Sequence, residues 1–181
     1  MERTMARLAT LLFTLAIATM SVWASPEARQ WKPSRQVKAQ DYLEIIDQRG
    51  GNLIIIWWLA PPLVAAPDAT ELLDKYIVIM ALHANLDESA AASYVTIPGL
   101  DVRDSSNTKL ARIDENNFPP TLTGVLATIG AALSQAVGPM GQHVQYFVYE
   151  RGATSACKQG KLIVNYNGES YNYDTPIPGC S

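Results

Sequence analysis

The Asn167-Gly168 pair near the end of the chain constrains the fold more tightly than any other feature of the sequence. An Asn-Gly pair between two alternating apolar segments is the strongest short-range signal for a β-hairpin with a two-residue turn. Counting outward from this turn predicts three facing pairs: Tyr166 with Glu169, Val164 with Tyr171, and Leu162 with Tyr173. Because these side chains share one face of the hairpin, we expect that face to cover a core and the other to meet water.

The two cysteines of the chain, Cys157 and Cys180, lie on either side of this hairpin. We expect them to form a disulfide, which would stabilise the fold by roughly 3 kcal/mol in the chain-entropy description. A zinc site or a catalytic thiol pair is the alternative, but the chain has two histidines and neither is near a cysteine in sequence. The sequence therefore predicts neither a metal site nor a cofactor.

The first 24 residues follow the order of a secretory signal peptide. A short basic region precedes an uncharged apolar run, and Val22 and Ala24 suit the positions just before a cleavage site. We expect cleavage near Ala24 and a mature protein in the periplasm or outside the cell, where a disulfide can form. An uncleaved membrane anchor is the alternative. The run is short for a membrane span, so we do not expect the mature chain to associate with a membrane.

The rest of the chain predicts one domain preceded by a short tail. Residues 25–33 mix proline, charge and a tryptophan, and we expect them to be a flexible segment at the surface. Residues 34–181 contain no internal repeat and no linker, so we expect a single globular domain. A helix is predicted from Ser34 to Gln48, with Ser34 as its N-cap and Gly50-Gly51 as its stop.

The order of the remaining elements predicts the fold class. Apolar runs at 53–59 and 76–84 are typical of strands covered on both faces. Short β-prone pieces separated by turns lie between residues 94 and 113, a helix is predicted near 121–137, and another strand follows at 142–150. Strands that succeed one another without regular helical crossovers favour antiparallel pairing. We therefore predict an α+β domain with a mainly antiparallel, sandwich-like sheet, an N-terminal helix and one inserted helix. An immunoglobulin-like arrangement is one form of such a sandwich.

The charge balance excludes one class of partner. The net charge is −3, the pI is about 5.3, and only 14 residues are Lys or Arg. Binding to nucleic acid requires a concentrated basic face. We therefore expect no nucleic-acid partner.

Catalytic machinery is hard to assemble from these residues. Nucleophilic hydrolysis usually needs a histidine base, and only His83 and His143 could serve. The acidic residues between Asp68 and Glu115 could supply a carboxylate pair for glycoside cleavage, but the sequence selects no particular pair. The Asp and Asn residues at 101–107 and 114–117 are typical of turns rather than of a calcium loop. The sequence therefore predicts no catalytic residues and favours a non-enzymatic protein.

Aromatic side chains offer a candidate binding surface. Trp57 and Trp58 are neighbours on a strand, so they point to opposite faces of it. If exposed, aromatic rings could stack on sugars or anchor a protein partner. The alternative is that the rings fill the core. The candidate surface consists of Trp57, Trp58, Tyr166, Tyr171 and Tyr173.

Residues 116–149 contain no Asp, Glu, Lys or Arg. The predicted helix at 121–137 lies inside this stretch, and the side opposite its apolar stripe carries small uncharged residues. A helix face in contact with water normally carries charge. We therefore expect another element of the chain to cover this face, with a partner protein or a second copy of the chain as the next alternative and lipid as the last.

These observations predict an exported domain that binds a protein partner or a cell-envelope polymer. Two alternatives remain open at this point. One is a small hydrolase that uses a carboxylate pair or a His/Asp pair, and the other is a structural or assembly component of the envelope.

Overall fold

The computed structural model describes the backbone at 29–30 together with residues 44–61, 67–178 and 180. The predicted signal peptide at 1–24 and the first part of the predicted N-terminal helix lie outside the described residues. So does the predicted flexible segment at 25–33, apart from Arg29–Gln30, which pairs as a short strand.

Ten strands and three α-helices follow one another in the part of the chain that is described. The strands are β1 Arg29–Gln30, β2 Glu44–Arg49, β3 Asn52–Leu59, β4 Tyr76–Leu86, β5 Ala92–Tyr94, β6 Asp101–Arg103, β7 Arg112–Ile113, β8 Gln145–Glu150, β9 Gly160–Tyr166 and β10 Glu169–Thr175. The helices are α1 Pro67–Lys75, α2 Pro120–Val137 and α3 Pro139–Gln142. A single 3₁₀ turn, Glu115–Asn117, precedes α2.

The strands form two sheets. The smaller sheet has the order β1-β10-β9-β6, and the larger has the order β2-β3-β4-β8-β7 with β5 paired to β4. All neighbours are antiparallel except β1 and β10. The prediction of an α+β fold with mostly antiparallel sheets and one inserted helix is confirmed, since α2 lies between β7 and β8 in the chain.

The larger sheet is covered on both faces. Alternate residues of β3 lie in different apolar clusters, because successive side chains of a strand point to opposite faces. Ile54, Ile56 and Trp58 pack with residues of the smaller sheet, such as Leu162 and Tyr173. On the opposite face, Leu59, Val78 and Val148 pack with Leu122 and Leu126 of α2. Helix α2 therefore lies across the face of the larger sheet that points away from the smaller one.

The predicted helix from Ser34 to Gln48 is wrong over its described part, because Glu44–Arg49 is strand β2. Burial alternates along β2: Ile45 and Asp47 are buried, whereas Ile46 is 59% exposed. Gly50 and Gly51 have φ values of 55° and 80° and connect Arg49 to its partner Asn52. Two consecutive residues with positive φ form the tight turn that a right-twisted hairpin prefers, so this glycine pair makes a hairpin and does not end a helix.

The hairpin at Asn167-Gly168 is confirmed in every predicted pair. Tyr166 faces Glu169, Val164 faces Tyr171, and Leu162 faces Tyr173. Asn167 and Gly168 both have positive φ, at 51° and 78°. The hairpin face that was expected to meet water differs from the prediction, because Ile163 and Asn172 on that face are buried.

The predicted disulfide between Cys157 and Cys180 is also confirmed. It joins the loop after β8 to the segment after β10, where the backbone N–H of Ile177 donates to the carbonyl of Ala156 at 2.9 Å. In an immunoglobulin-like domain the disulfide would connect two facing strands of different sheets. This disulfide connects two loops, and the immunoglobulin-like prediction is not confirmed.

Gly141 allows α3 to fold back on the end of α2. A Cβ atom at this position would lie 2.5 Å from the backbone carbonyl carbon and oxygen of Leu133. No side chain fits at that distance, so a glycine is required for the two helices to contact each other. The contact brings the start of β8 beneath α2.

Candidate functional site: the groove beneath helix α2

Helix α2 is exposed on its outer side. Of its 18 residues only Leu122 and Leu126 are buried, which is 11% of the helix. By length and composition alone the helix could cross a membrane, with a mean hydropathy of 1.3. The prediction that another element of the chain covers its uncharged face is therefore wrong within the described residues. The helix packs on the sheet through one narrow stripe, which leaves its remaining surface open.

A groove of about 670 Å³ runs between α2, β8 and the loop before β6. On α2 it is bounded by residues from Thr123 to Gly130, which corresponds to about 10 Å along the axis at the rise of an α-helix. Small-molecule sites in proteins commonly have volumes of roughly 300 to 1,000 Å³. Its lining is mainly apolar and consists of Thr96, Ile97, Arg112, Glu115, Phe118, Thr123, Leu126, Ala127, Gly130, Val144, Gln145, Tyr146 and Phe147.

Tyr146 supplies the distinctive polar atom of this groove. Its Oη atom is buried and has no hydrogen-bond partner among the described residues. It lies against Gly130 of α2, where a Cβ atom would be 3.2 Å from Oη. Burial raises the pKa of the Tyr146 hydroxyl, so this group stays protonated at neutral pH and can donate a hydrogen bond. A buried hydroxyl without a partner costs folding free energy.

Gln145 of β8 fixes the wall of the groove that lies opposite α2. Its Oε1 accepts from the backbone N–H of Ile97 at 2.9 Å, and its Nε2 donates to the carbonyl of Val95 at 3.0 Å. Both ends of the amide are therefore used to tie the loop before β6 to β8. The wall is formed in advance of any ligand.

Arg112 lies at one end of the groove and is held by three neighbours. Its guanidinium carbon is 4.8 Å from the centre of the Phe147 ring, and Nη1 donates to the carbonyl of Pro98 at 3.0 Å. Its Nη2 is 3.9 Å from a carboxylate oxygen of Glu115. Arg112 and Glu115 are the two charged residues in the lining of the groove.

A second cavity of about 250 Å³ adjoins the groove. Thr96, Val144 and Gln145 line both. Beyond them the rings of Tyr94 and His143 are stacked, with their centres 3.8 Å apart. The groove and this cavity therefore share part of one wall.

Three members of the predicted aromatic surface do not reach the surface. Trp58, Tyr171 and Tyr173 are at most 1% exposed. Tyr171 donates to Oδ2 of Asp47 at 3.1 Å, and Tyr173 donates to the carbonyl of Ile56 at 2.9 Å. These hydrogen bonds satisfy the polar ends of rings that fill the space between the sheets.

Trp57 and Tyr166 are half-buried and lie on different sides of the larger sheet. Trp57 packs in the cluster beneath the helices, whereas Tyr166 packs against the cluster between the sheets. The five aromatic residues therefore do not form one continuous patch. Placing their rings in the core corrects the prediction of a joint binding surface.

The two histidines lie in separate places. His143 is exposed beside Tyr94, whereas His83 is buried on β4. Nε2 of His83 is 3.2 Å from Oδ1 of Asn52, and Nδ1 is 2.8 Å from the hydroxyl oxygen of Tyr166. Burial lowers the pKa of His83, and both of its ring nitrogens are engaged by these neighbours.

The Asp and Asn residues at 101–107 and 114–117 make turn contacts, as the sequence predicts. Oδ1 of Asp104 accepts from the backbone N–H groups of Ser106 and Thr108, at 2.9 and 3.0 Å. Oδ1 of Asp114 accepts from the backbone N–H of Asn116 at 2.9 Å. These are ordinary turn contacts. In the described part of the chain no three metal-binding side chains come together.

The groove was not predicted from the sequence, although one signal pointed to its location. Residues 118–147 supply most of its lining and all lie inside the stretch without Asp, Glu, Lys or Arg. From the sequence, the absence of charged residues was interpreted as a feature of the outer face of the helix. The structure shows that the same stretch also forms both sides of a depression.

Comparisons with known proteins identified no relative of this chain. No protein-family model, no curated protein and no solved structure matches the chain.

Proposed function

We propose that this protein is an exported, non-enzymatic binding domain that holds an apolar group of an envelope component or partner in the groove beneath α2. The observation that carries the proposal is a mostly apolar groove of about 670 Å³ whose lining also contains a few polar side chains, among them Arg112 and Gln145. Binding sites for small molecules typically join apolar walls to a few polar groups that orient the ligand.

Export is part of the proposal. A disulfide suggests an oxidising environment, and the Cys157–Cys180 bond supports a location outside the cytoplasm. We propose that residues 1–24 direct the chain there and are then removed near Ala24. The packing of the two sheets around one apolar cluster supports a sandwich-like arrangement of the mature domain.

The walls of the groove support binding without a large rearrangement. Gln145 fixes one wall through two hydrogen bonds, and Leu122 and Leu126 anchor the helix that forms the other. A site that is already formed spends little free energy on ordering its side chains when a ligand binds.

Filling the groove tests the proposal. Ala127 lines the groove and is exposed, so Ala127→Phe should place a ring in it without disturbing the core. We expect the affinity for Nile red, a neutral dye whose fluorescence rises in apolar surroundings, to fall at least about ten-fold, since the contacts with the groove walls are lost. Ala132→Phe is the matched control, because Ala132 is exposed on the same helix outside the lining.

Equal dye affinity in Ala127→Phe and in the wild-type protein would show that the groove is not the binding site. An equal loss in both variants would also contradict the proposal, since it would locate binding on the outside of the helix. Unfolding curves for the three proteins separate loss of binding from loss of structure.

A further inference from the structure

We infer that two copies of this chain pair through strand β2, edge to edge and antiparallel, with Ile46 of one copy facing Ile46 of the other. The inference goes beyond the proposed function, because it concerns a surface that the lining of the groove does not include. It is carried by the length of this sheet edge, the exposure of one apolar side chain and the order of charges along the strand.

Strand β2 is the longest outermost strand in the described part of the chain. It has six residues, and among the described strands it pairs with β3 alone. The other strands at sheet edges, β1, β5, β6 and β7, have two or three residues each. Short strands, prolines, lysines and bulges protect a sheet edge from pairing with another chain. Strand β2 has none of these protections, since its sequence is Glu-Ile-Ile-Asp-Gln-Arg and its register with β3 is unbroken.

The hairpin register determines which backbone groups of β2 lie at this edge. Residues that flank a two-residue turn exchange both of their backbone hydrogen bonds, so Arg49 bonds to Asn52. Bonded pairs then recur at every second residue of an antiparallel ladder. The N–H and C=O groups of Glu44, Ile46 and Gln48 therefore point away from β3. A second strand placed at this edge would bond to these residues.

Ile46 lies at the centre of this edge with an exposed side chain. In the described part of the chain the exposed large apolar residues are Ile46 and Val137, and Ile46 is the more exposed of the two. On the same face of the larger sheet its partner Ile55 is buried. A second Ile46 beside the first would continue this apolar row and remove both side chains from water.

The sequence of β2 matches itself in one antiparallel register. When Ile46 faces Ile46, Glu44 of each copy faces Gln48 of the other, so no carboxylate faces a carboxylate. A shift of two residues in one direction would place Glu44 opposite Ile46. The same shift in the other direction would place the two Asp47 side chains opposite each other, and like charges in facing positions destabilise a sheet. The favoured register is symmetric about Ile46, as a two-fold dimer requires.

Sedimentation equilibrium of the purified protein over a range of concentrations tests the inference. We expect a monomer–dimer equilibrium for the wild-type protein. Ile46→Lys should raise the dimer dissociation constant at least about ten-fold, because two ammonium groups would then face each other. Val137→Lys is the matched control, since it adds the same charge at the other exposed apolar residue and should leave the dissociation constant unchanged. Both positions are exposed, so unfolding curves should stay close to that of the wild-type protein.

Disulfide cross-linking tests the register. Facing residues of a bonded antiparallel pair have Cα atoms about 5.5 Å apart, which is within the range of a disulfide. Ile46→Cys should therefore give a covalent dimer under mild oxidation, while Cys157 and Cys180 are already bonded to each other. Gln48→Cys is the control. In this register the two copies of residue 48 are offset by four residues, or roughly 13 Å, and should stay unlinked.

Three results would overturn the inference. The first is a wild-type protein that sediments as a monomer at every concentration. The second is a dimer that Val137→Lys dissociates and Ile46→Lys does not, since this would locate the contact on α2. The third is equal cross-linking of Ile46→Cys and Gln48→Cys, which would exclude a register centred on Ile46.

Discussion

Replacing both Cys157 and Cys180 by serine is expected to lower the free energy of unfolding by roughly 3 kcal/mol. The disulfide closes a loop between residues 23 positions apart in sequence, and removing it gives the unfolded chain more conformations to occupy. The loop contains the whole β9–β10 hairpin, so the disulfide links the segment before the hairpin to the segment after it. Urea denaturation of the double variant beside the oxidised wild-type protein measures the loss.

Reduction of the wild-type protein is the internal control for that experiment. Treatment with a thiol reductant should shift the urea midpoint in the same direction as the serine substitutions, and alkylation should then label two thiols per chain. If both cysteines become labelled while the midpoint stays where it was, the disulfide does not stabilise this fold and the expectation is wrong.

The second large effect is expected at Asp47. Replacing Asp47 by alanine should lower the free energy of unfolding by about 2 to 3 kcal/mol, mainly because the buried hydroxyl of Tyr171 loses its acceptor. Asp47 is 4% exposed and accepts from Tyr171 at 3.1 Å and from Nε and Nη2 of Arg49 at 3.0 and 2.9 Å. Arg49 is about half exposed and also pairs with Glu169, so its share of the loss is small.

A double-mutant cycle with Tyr171→Phe isolates this hydrogen bond. Once the hydroxyl is gone, Asp47→Ala should cost clearly less than it does in the wild-type background, since no buried donor is left unsatisfied. Asp47→Asn keeps an acceptor for the Tyr171 hydroxyl, so its stability should lie between that of the wild-type protein and that of Asp47→Ala. Equal costs of Asp47→Ala in both backgrounds would show that the pair is not coupled.

The β2–β3 and β9–β10 hairpins differed in how well the sequence predicts them, for a local reason. At Asn167-Gly168 the two-residue turn determines which residues pair, so turn and register follow from the sequence together. At Gly50-Gly51 the preceding residues also fit a helical spacing, and a glycine pair serves equally well as a helix stop or as a hairpin turn. The pairing of β2 with the apolar strand β3 decides between them, and that contact is not local information.

The inserted helix shows what single-sequence reasoning could recover and what it could not. Its bounds follow from Pro120 and Gly138, and the apolar stripe through Leu122 and Leu126 indicates the buried side. The groove depends instead on how α2 lies over β8, where Gly130 lets the helix approach Tyr146. This packing geometry arises from residues that are distant in sequence, and alternation along a strand does not encode it.

Binding in the groove beneath α2 is tested most directly by mapping a bound probe by NMR. Titration of Nile red into ¹⁵N-labelled protein should shift the amide signals of residues 123–130 and 144–147, on opposite walls of the groove. The signals of the turns at Gly50-Gly51 and Asn167-Gly168 should stay where they are. Shifts confined to those turns, or spread evenly over the whole protein, would contradict binding in the groove.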